Sequence, residues 1–281
     1  MGAAGLIEIK RRIKSVESTR KITKAMGLVA TSKLRKVRKE LIANEQYNNL
    51  CREVISEVVS SMPEDFDSIY YRKFDGDKLY IVLTSDTGLC AGYNNNVAIY
   101  LNSLVEKGNG AKVVVVGSKG ISYVSRYGVS TYAEYVGLPD MPATKDVNNI
   151  YNDAIYLYEK WEVSEVNIVY TEFISPVKQE VKSLKLLPVE RMENSTGQYI
   201  IEPNEEEVFK TAMDMYLKSQ LKTCMLSARA SEQSARMTAM DGATENADDI
   251  LQTLHIKFNR IRQGIITQEI SEIVGGAEAQ K

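Results

Sequence analysis

The sequence predicts an open, mostly parallel, Rossmann-like α/β domain held between two long helices that wind together as an antiparallel coiled coil. Three observations carry this. Residues 2–62 and 204–281 contain no proline, although a proline inside a helix costs about 3 kcal/mol. The residues between them alternate short apolar runs with helical stretches, the pattern of a sheet covered on both faces. Two helices so far apart in sequence can hide their apolar stripes only against each other or against a partner. The division that follows gives 1–62 and 204–281 to a helical shaft and 63–203 to the central α/β domain.

In the first segment, Ile9, Ile13 and Val16 share a stripe, as do Ile22, Met26 and Val29, and then Leu34, Val37 and Leu41. Steps of three and four mark a helix. The three stripes are offset, so the buried face is expected to drift around the helix rather than follow one strict heptad. Met62-Pro63-Glu64-Asp65 supplies a stop. The last segment opens on Pro203 and Asn204 followed by Glu205, Glu206 and Glu207, an N-cap with acids in the positive first turn. Farther on, Ala247, Leu251, Leu254, Phe258, Ile261 and Ile265 step by 4, 3, 4, 3 and 4, a coiled-coil seam. Gly242 and Gly264 would each cost about 1 kcal/mol against alanine, so packing offsets that cost or a second backbone approaches them.

The middle differs in kind. Residues 78–85 (KLYIVLTS) and 112–118 (KVVVVGS) read as buried parallel strands, each followed by a turn and a helical stretch. Residues 165–173 (EVNIVYTEF) make a third strand. Residues 177–189 alternate like an edge or antiparallel strand closed by Pro188. There is no internal repeat.

Composition narrows the function. The chain is 44% hydrophobic and 26% charged, as soluble globular proteins are. No apolar run approaches the roughly 18–20 residues that a bilayer span requires, so no direct membrane insertion is expected. The opening MGAAGLIEIKRR lacks a signal-peptide core. Cys51, Cys90 and Cys224 are widely spaced and read as reduced thiols of a cytosolic protein.

Candidate chemistry is sparse. The turn SDTGLCAGYNNN (85–96) follows the first strand, where backbone N–H groups can cradle a phosphate. Gly88 and Gly92 do not make GxGxxG, however, and no GK[ST] follows. A tight turn that packs the next helix is the preferred reading, and Asp86 has no evident titratable partner. The turn at 116–120 lacks the upstream glycine of a phosphate loop. His255, the one histidine, has no ligands at metal spacing and sits on a helix that makes a poor cleft. No catalytic residue, cofactor or metal is expected.

Charge says more. Between residues 8 and 39, twelve lysines and arginines face only Glu8 and Glu17, a positive field on a chain of net charge −2. Nucleic acid, an acidic protein surface or plain solvent could face it. Residues 1–46 hold no aromatic side chain for base stacking, which ranks the acidic protein first.

Three segments are recognisable. RKITKAMGLVATSKLRKV (20–37), SDTGLCAGYNNNV (85–97) and FNRIRQGIITQEISEIVGGAEA (258–279) resemble, in order and across the whole chain, the γ subunits of F-type ATP synthases. The resemblance implies a central-stalk rotor: an antiparallel coiled coil inside a ring of α and β subunits, with the central domain below it holding the ε subunit and the membrane ring of c subunits. Ion flow turns the c ring, and the shaft drives nucleotide sites that belong to other chains. It also implies that Lys24 and Met26 lie near an acidic loop of a β subunit; Arg35 and Lys36, from the basic stretch, are expected to contact the ring as well. Arg262, Gln263, Thr267 and Glu269 would touch the upper ring wall. The cysteine pair of the chloroplast redox switch has no counterpart, and a transit peptide is missing, so a peripheral place on the cytoplasmic face of a bacterial membrane is expected. The rival readings are a nucleotide-binding α/β enzyme flanked by helices and a basic coiled-coil scaffold for nucleic acid.

Overall fold

The computed structural model describes residues 2–63, 66–106, 110–129, 131–190, 201–202 and 204–278. Glu64, Asp65 and Pro203 of the expected stop and start signals lie outside them. The chain forms two compact units, one of Met1–Ala30 with Met237–Lys281 and one of Thr31–Arg236.

Among the described residues the α-helices and strands follow in order: α1 (Gly2–Ser60), β1 (Lys78–Leu83), α2 (Tyr93–Val105), β2 (Ala111–Val116), α3 (Ser118–Ser125), β3 (Thr131–Tyr135), α4 (Thr144–Glu159), β4 (Glu165–Phe173), β5 (Gln179–Leu187) and α5 (Glu205–Glu278). The sheet order is β3-β2-β1-β4-β5. Pairs β1–β2, β1–β4 and β2–β3 are parallel, and β5 runs antiparallel to β4 at the edge. The expected sheet is therefore present with one addition. β3 is a five-residue edge strand, TYAEY, whose alternating half-buried pattern is too short to stand out in the sequence.

One sheet face packs Tyr80, Val82, Val113 and Val115 under Val97, Leu101 and Val124 of α2 and α3. The other sets Leu79, Ile81, Leu83 and Ile168 against Ile150, Tyr151 and Leu157 of α4 and Phe209, Met213 and Leu217 of α5. The β1 and β4 strands are covered on both faces, which is why they are continuous apolar runs. Tyr70 and Tyr151 both donate to the Asp214 carboxylate, at 2.8 and 2.5 Å, fastening the strap before β1 and helix α4 to α5. The start of α5 is capped as expected: Asn204 Oδ1 accepts the Glu207 N–H at 2.8 Å.

The drifting face expected of α1 is not observed. Its buried line, with half-buried members included, runs through Ile9, Ile13, Val16, Arg20, Thr23, Gly27 and Ala30 in the first unit, with Met26 half-buried beside it. In the second it runs through Leu34, Val37, Leu41, Asn44, Asn48, Cys51, Ile55 and Val58. The steps are 4, 3, 4, 3 throughout, a strict heptad seam. Ile22 and Val29 stand 57% and 55% exposed, so the Ile22–Met26–Val29 stripe is not the buried one. The hydrophobic pattern misleads because the true seam there is Thr23, Gly27 and Ala30, small or polar residues that let the helices approach closely.

Within the first unit the pairing is antiparallel. Arg20 meets Asp248 at 2.5 Å, Thr23 shares a 2.8 Å hydrogen bond with Thr244, and a Cβ on Gly27 would lie 3.2 Å from Asp241 Oδ1 and 3.5 Å from Met240 Cβ. The α5 seam continues through Ala247, Leu251, Leu254, Phe258, Ile261 and Ile265, as the sequence predicts. Within the second unit the same sense holds: Asn44 Nδ2 donates to Ser219 O at 3.0 Å and to Thr223 Oγ1 at 2.8 Å, and Asn48 Nδ2 donates to Gln220 Oε1 at 2.6 Å. Buried amides at seam positions fix register.

Gly242 and Gly264 correct another expectation, since a Cβ on either meets nothing within 4 Å. Gly27 is the seam glycine whose added Cβ would meet α5, at the Asp241 carboxylate and Met240 Cβ. Gly242→Ala is therefore expected to stabilise α5 by about 1 kcal/mol and raise the thermal midpoint. Gly27→Ala should give no such gain, because its methyl presses on Asp241. Thermal unfolding of the two variants by circular dichroism separates them.

Candidate functional site

In an open parallel sheet, ligands bind outside the carboxyl ends of the strands where the connections change direction. Here α2 and α3 lie on one face and α4 on the other, so the crevice falls between the ends of β1 and β4. Helix α5 fills it. Residues 224–234 are buried without a break, so this stretch of helix has no solvent face.

The filling is polar and closely matched to the strand ends. Ser227 Oγ accepts the Phe173 N–H at 2.9 Å, and Ser231 Oγ donates to Thr171 O at 3.0 Å, both at the end of β4. On the β1 side, Tyr93 donates its hydroxyl proton to Ala228 O at 3.1 Å. Arg229 donates to Asp86 Oδ2 at 3.1 Å and to Glu232 Oε2 at 2.8 Å. Arg236 pairs with Glu232 Oε1 at 2.8 Å and donates to Thr87 Oγ1 at 2.8 Å and to the carbonyls of Thr87 and Gly88. Two cations and two anions balance. The Glu232 side chain is 3% exposed and that of Arg236 8%. Charges so deep require this pairing, since a lone buried ion costs several kcal/mol.

Asp86 thus has the partner that its sequence surroundings did not show. Burial opposes its ionisation, but the N–H groups of Gly137 and Ser118, each 3.0 Å away, and the Arg229 guanidinium outweigh it. Its carboxyl lies below the ordinary range. Burial likewise opposes the charge of Arg229, and Glu232 with Asp86 more than restores it. The turn between β1 and α2 is a packing turn, as preferred from the sequence. Ser85 N–H donates to Asn94 Oδ1 at 3.0 Å, and Asn94 Nδ2 returns a 2.8 Å bond to Ser85 Oγ. Leu89 and Ala91 take positive φ, 62° and 49°, a conformation unusual for side-chain-bearing residues, and Leu89 is 59% exposed. Arg236 grips the carbonyls just before it.

Residues 227–236 were not singled out from the sequence. The signal was there in SARASEQSAR, where serines and alanines line one side of the helix and Arg229, Glu232, Gln233 and Arg236, at 3–4 spacing, share the other.

The eight residues singled out from the sequence fall in separate places. Lys24 is exposed and Met26 half-buried in the first unit, while Arg35 and Lys36 are exposed on α1 in the second. Arg262, Gln263, Thr267 and Glu269 are all exposed on the last turns of α5, where Thr267 donates its hydroxyl proton to Gln263 O at 2.9 Å. The antiparallel register puts residues 240–244 beside 23–27, so Lys24 and Met26 stand on the order of 30 Å from residues 262–269 along the helix. Beyond Ile265, Ile266, Ile270, Ile273 and Val274 are exposed. Of the basic run, Arg20 pairs with Asp248 and Lys33 with Asp140 at 2.9 Å. His255 is exposed, and the three cysteines are free and buried. Among the described residues no cluster of three or more His, Cys, Asp or Glu could hold a metal ion.

The class so defined is an α/β domain inserted between two long antiparallel helices, its ligand crevice filled by one of them. The family described as ATP synthase matches residues 5–280. The ATP synthase gamma chain of Clostridium botulinum is 58% identical, and those of Clostridium beijerinckii and Clostridium perfringens are 52% and 51% identical, each over the full length of both chains. Among solved structures, a chain of the Euglena gracilis mitochondrial ATP synthase (OSCP/F1/c-ring, rotational state 3) aligns with TM-score 0.73 at 15% identity, covering 99% of this chain and 95% of its own. A chain from the central stalk and c ring of the Tetrahymena thermophila enzyme aligns with TM-score 0.62 at 23% identity, covering 79% and 99%. These two likenesses are of fold. The chain belongs to the ATP synthase gamma chain family.

Breaking the crevice network from one side should be costly. Arg229→Met leaves Asp86 and Glu232 short of a cation and is expected to destabilise the α/β unit by about 3–5 kcal/mol, read by urea unfolding at pH 7. Because the folded carboxyl of Asp86 is depressed, its contribution is full above the unfolded value near 3.9 and is lost as pH falls through the folded value. Asp86→Asn should therefore cost stability at pH 7, and the gap to the parent should close below about pH 4.

Proposed function

We propose that this chain is the central-stalk rotor of an F-type ATP synthase, coupling ion movement through the membrane sector to ATP synthesis or hydrolysis on other subunits. The observation that carries it is the filled crevice. Where an α/β enzyme of this topology would take its ligand, Ser227–Arg236 of the long helix is seated instead. The domain is thereby built as a mount for a shaft, and the chain has no catalytic site of its own. Its working division is a shaft of 1–62 and 204–281 and a mounting domain of 63–203. It uses no cofactor.

The partners follow from the surfaces. Lys24 and Met26 in the first unit, and the exposed Arg35 and Lys36 in the second, meet acidic loops of the β subunits. A screened, one-sided field can favour one partner conformation over another as the shaft turns, which is what driving a cycle of affinities requires. Arg262, Gln263, Thr267 and Glu269 turn within the upper wall of the α and β ring. Their exposed polar groups exchange with water at little cost, whereas a large apolar anchor would hold one angle. The central domain holds the ε subunit and the ring of c subunits. No described helix is long and apolar enough to cross a membrane, and the chain is placed peripherally on the cytoplasmic face of a bacterial membrane through its partners. Nucleic acid is not among them.

The decisive experiment is purification of the tagged chain from its host. It should carry an ATP-hydrolysing complex, and the isolated chain should show no saturable binding of ATP; the reverse pair of results would make it a nucleotide enzyme. Within the complex, Arg35→Glu with Lys36→Glu should lower ATP-driven ion pumping or block assembly, and unchanged pumping would remove the basic face from the mechanism. Gln263→Ala with Thr267→Ala should lower coupled synthesis; rotation, assembly and synthesis all at parent level would reduce those residues to helix surface.

A further inference from the structure

A cavity of about 700 Å³ opens between α1, β5 and α5 in the Thr31–Arg236 unit. That size lies within the roughly 300–1,000 Å³ of small-ligand sites. Its apolar floor is the margin of the core: Leu186 and Leu217 are buried, and Leu184, Pro188 and Val189 lie beside them. Its polar side is built from the two helices. Arg52 of α1 and Tyr216 of α5 both line it. Burial pushes the Tyr216 phenol above its ordinary value and the Arg52 charge pulls the other way. The two groups are therefore within electrostatic reach, and the hydroxyl keeps its proton at neutral pH. Both are unclaimed: among the described residues no carboxylate pairs with Arg52 and no acceptor takes the Tyr216 proton. Lys185 adds a second cation, whose partner Glu165, at 3.5 Å, is already held by Lys78 at 2.9 Å. Among the described lining residues Glu190 is the one carboxylate.

We propose that this cavity binds a small amphipathic anion, with a carboxylate or phosphate head on Arg52 and Tyr216 and an apolar body over Leu184, Leu186 and Leu217. The two unclaimed donors set the head. A guanidinium meets carboxylate or phosphate oxygens in pairs, and the phenol supplies one donor more. The floor sets the body, because apolar surface leaves water only under apolar atoms, which a bare inorganic ion does not bring. Glu190 limits the charge of the head and so opposes a nucleoside triphosphate. The bound molecule touches α1, β5 and α5 together and ties the helix pair to the sheet edge. The same head chemistry is offered by a free amphiphile and by an anionic lipid.

Isothermal titration of the full-length chain with decanoate, below its micellar range, tests this. The parent should show one saturable site. Arg52 is exposed, so Arg52→Met should fold as the parent does, checked by circular dichroism, and should weaken binding at least about tenfold. Arg52→Lys, which keeps the charge, should retain most of the affinity, and Tyr216→Phe should lose a smaller factor than Arg52→Met. Decanol lacks the charge and acetate lacks the body, so each should bind the parent at least about tenfold more weakly than decanoate. Flotation with phosphatidylglycerol or phosphatidylcholine vesicles separates the two sources. Flotation with the former alone, lost in Arg52→Met, assigns the head to a lipid, and decanoate binding without flotation assigns it to a free molecule. Absence of saturable binding by the parent would overturn the proposal. So would equal affinities of the parent and a folded Arg52→Met, or decanol bound as tightly as decanoate. Should Arg52→Met fail to fold, Tyr216→Phe and the decanol comparison decide. All of this is read on the chain alone, so its outcome is independent of the rotor reading.

Discussion

Everything in the α/β unit depends on one constraint: a helix buried on all sides must satisfy each polar group it carries. Residues 224–234 meet it, apart from the buried Gln233 Oε1, which has no partner among the described residues, with hydroxyls aimed at strand-end backbone and with charges in neutral sets. An apolar helix could have been buried there at lower desolvation cost. A polar one has a seat defined by donors and acceptors at both β1 and β4, so its rotation about its own axis and its height are both specified. The left-handed turn at Leu89 and Ala91 belongs to the same seat, because Arg236 holds the carbonyls of Thr87 and Gly88.

The two ends of α5 solve different problems with one periodicity. Around 205–221 the helix offers Phe209, Met213, Leu217 and Leu221 to the sheet layer, and from 240 to 265 it offers a 3–4 seam to α1. Neither needs a break in the helix, since 3.6 residues per turn serves a broad apolar face and a narrow seam alike. Past Ile265 the helix exposes Ile266, Ile270 and Ile273.

Much of this was legible in the sequence. The strands covered on both faces announce themselves as valine and isoleucine runs, the capping signal at Asn204 is local, and the Ala247–Ile265 seam is apolar at nearly every position. What was hidden follows from chemistry that a hydrophobic pattern does not weigh. Thr23, Gly27 and Ala30 are seam residues because they are small, and Ile22 and Val29 drew the eye because they are not. Asp86 and Arg229 lie 143 residues apart, and nothing local to either names the other. β3 is short and half-exposed, so its five residues carry too little contrast. Lys24 and Gln263 are proposed as rotor contacts through resemblance alone, because an exposed lysine or glutamine on a helix leaves no internal contact by which a role can be read.

Asn44 and Asn48 give the helix pair a mechanical character. Their amides bind Ser219, Thr223 and Gln220 at consecutive seam positions. Greasy contacts alone are nearly indifferent to a small sliding of one helix past the other, whereas a directional bond fails within a fraction of an ångström. The next equivalent seam arrangement lies a full heptad away, about 10 Å. Between those positions lies only a loss of hydrogen bonds, so axial shear meets a restoring force from the first displacement. Two asparagines, weak choices by the measure of burial, act as keys in a shaft and let a twisting load be returned elastically instead of being lost as slip.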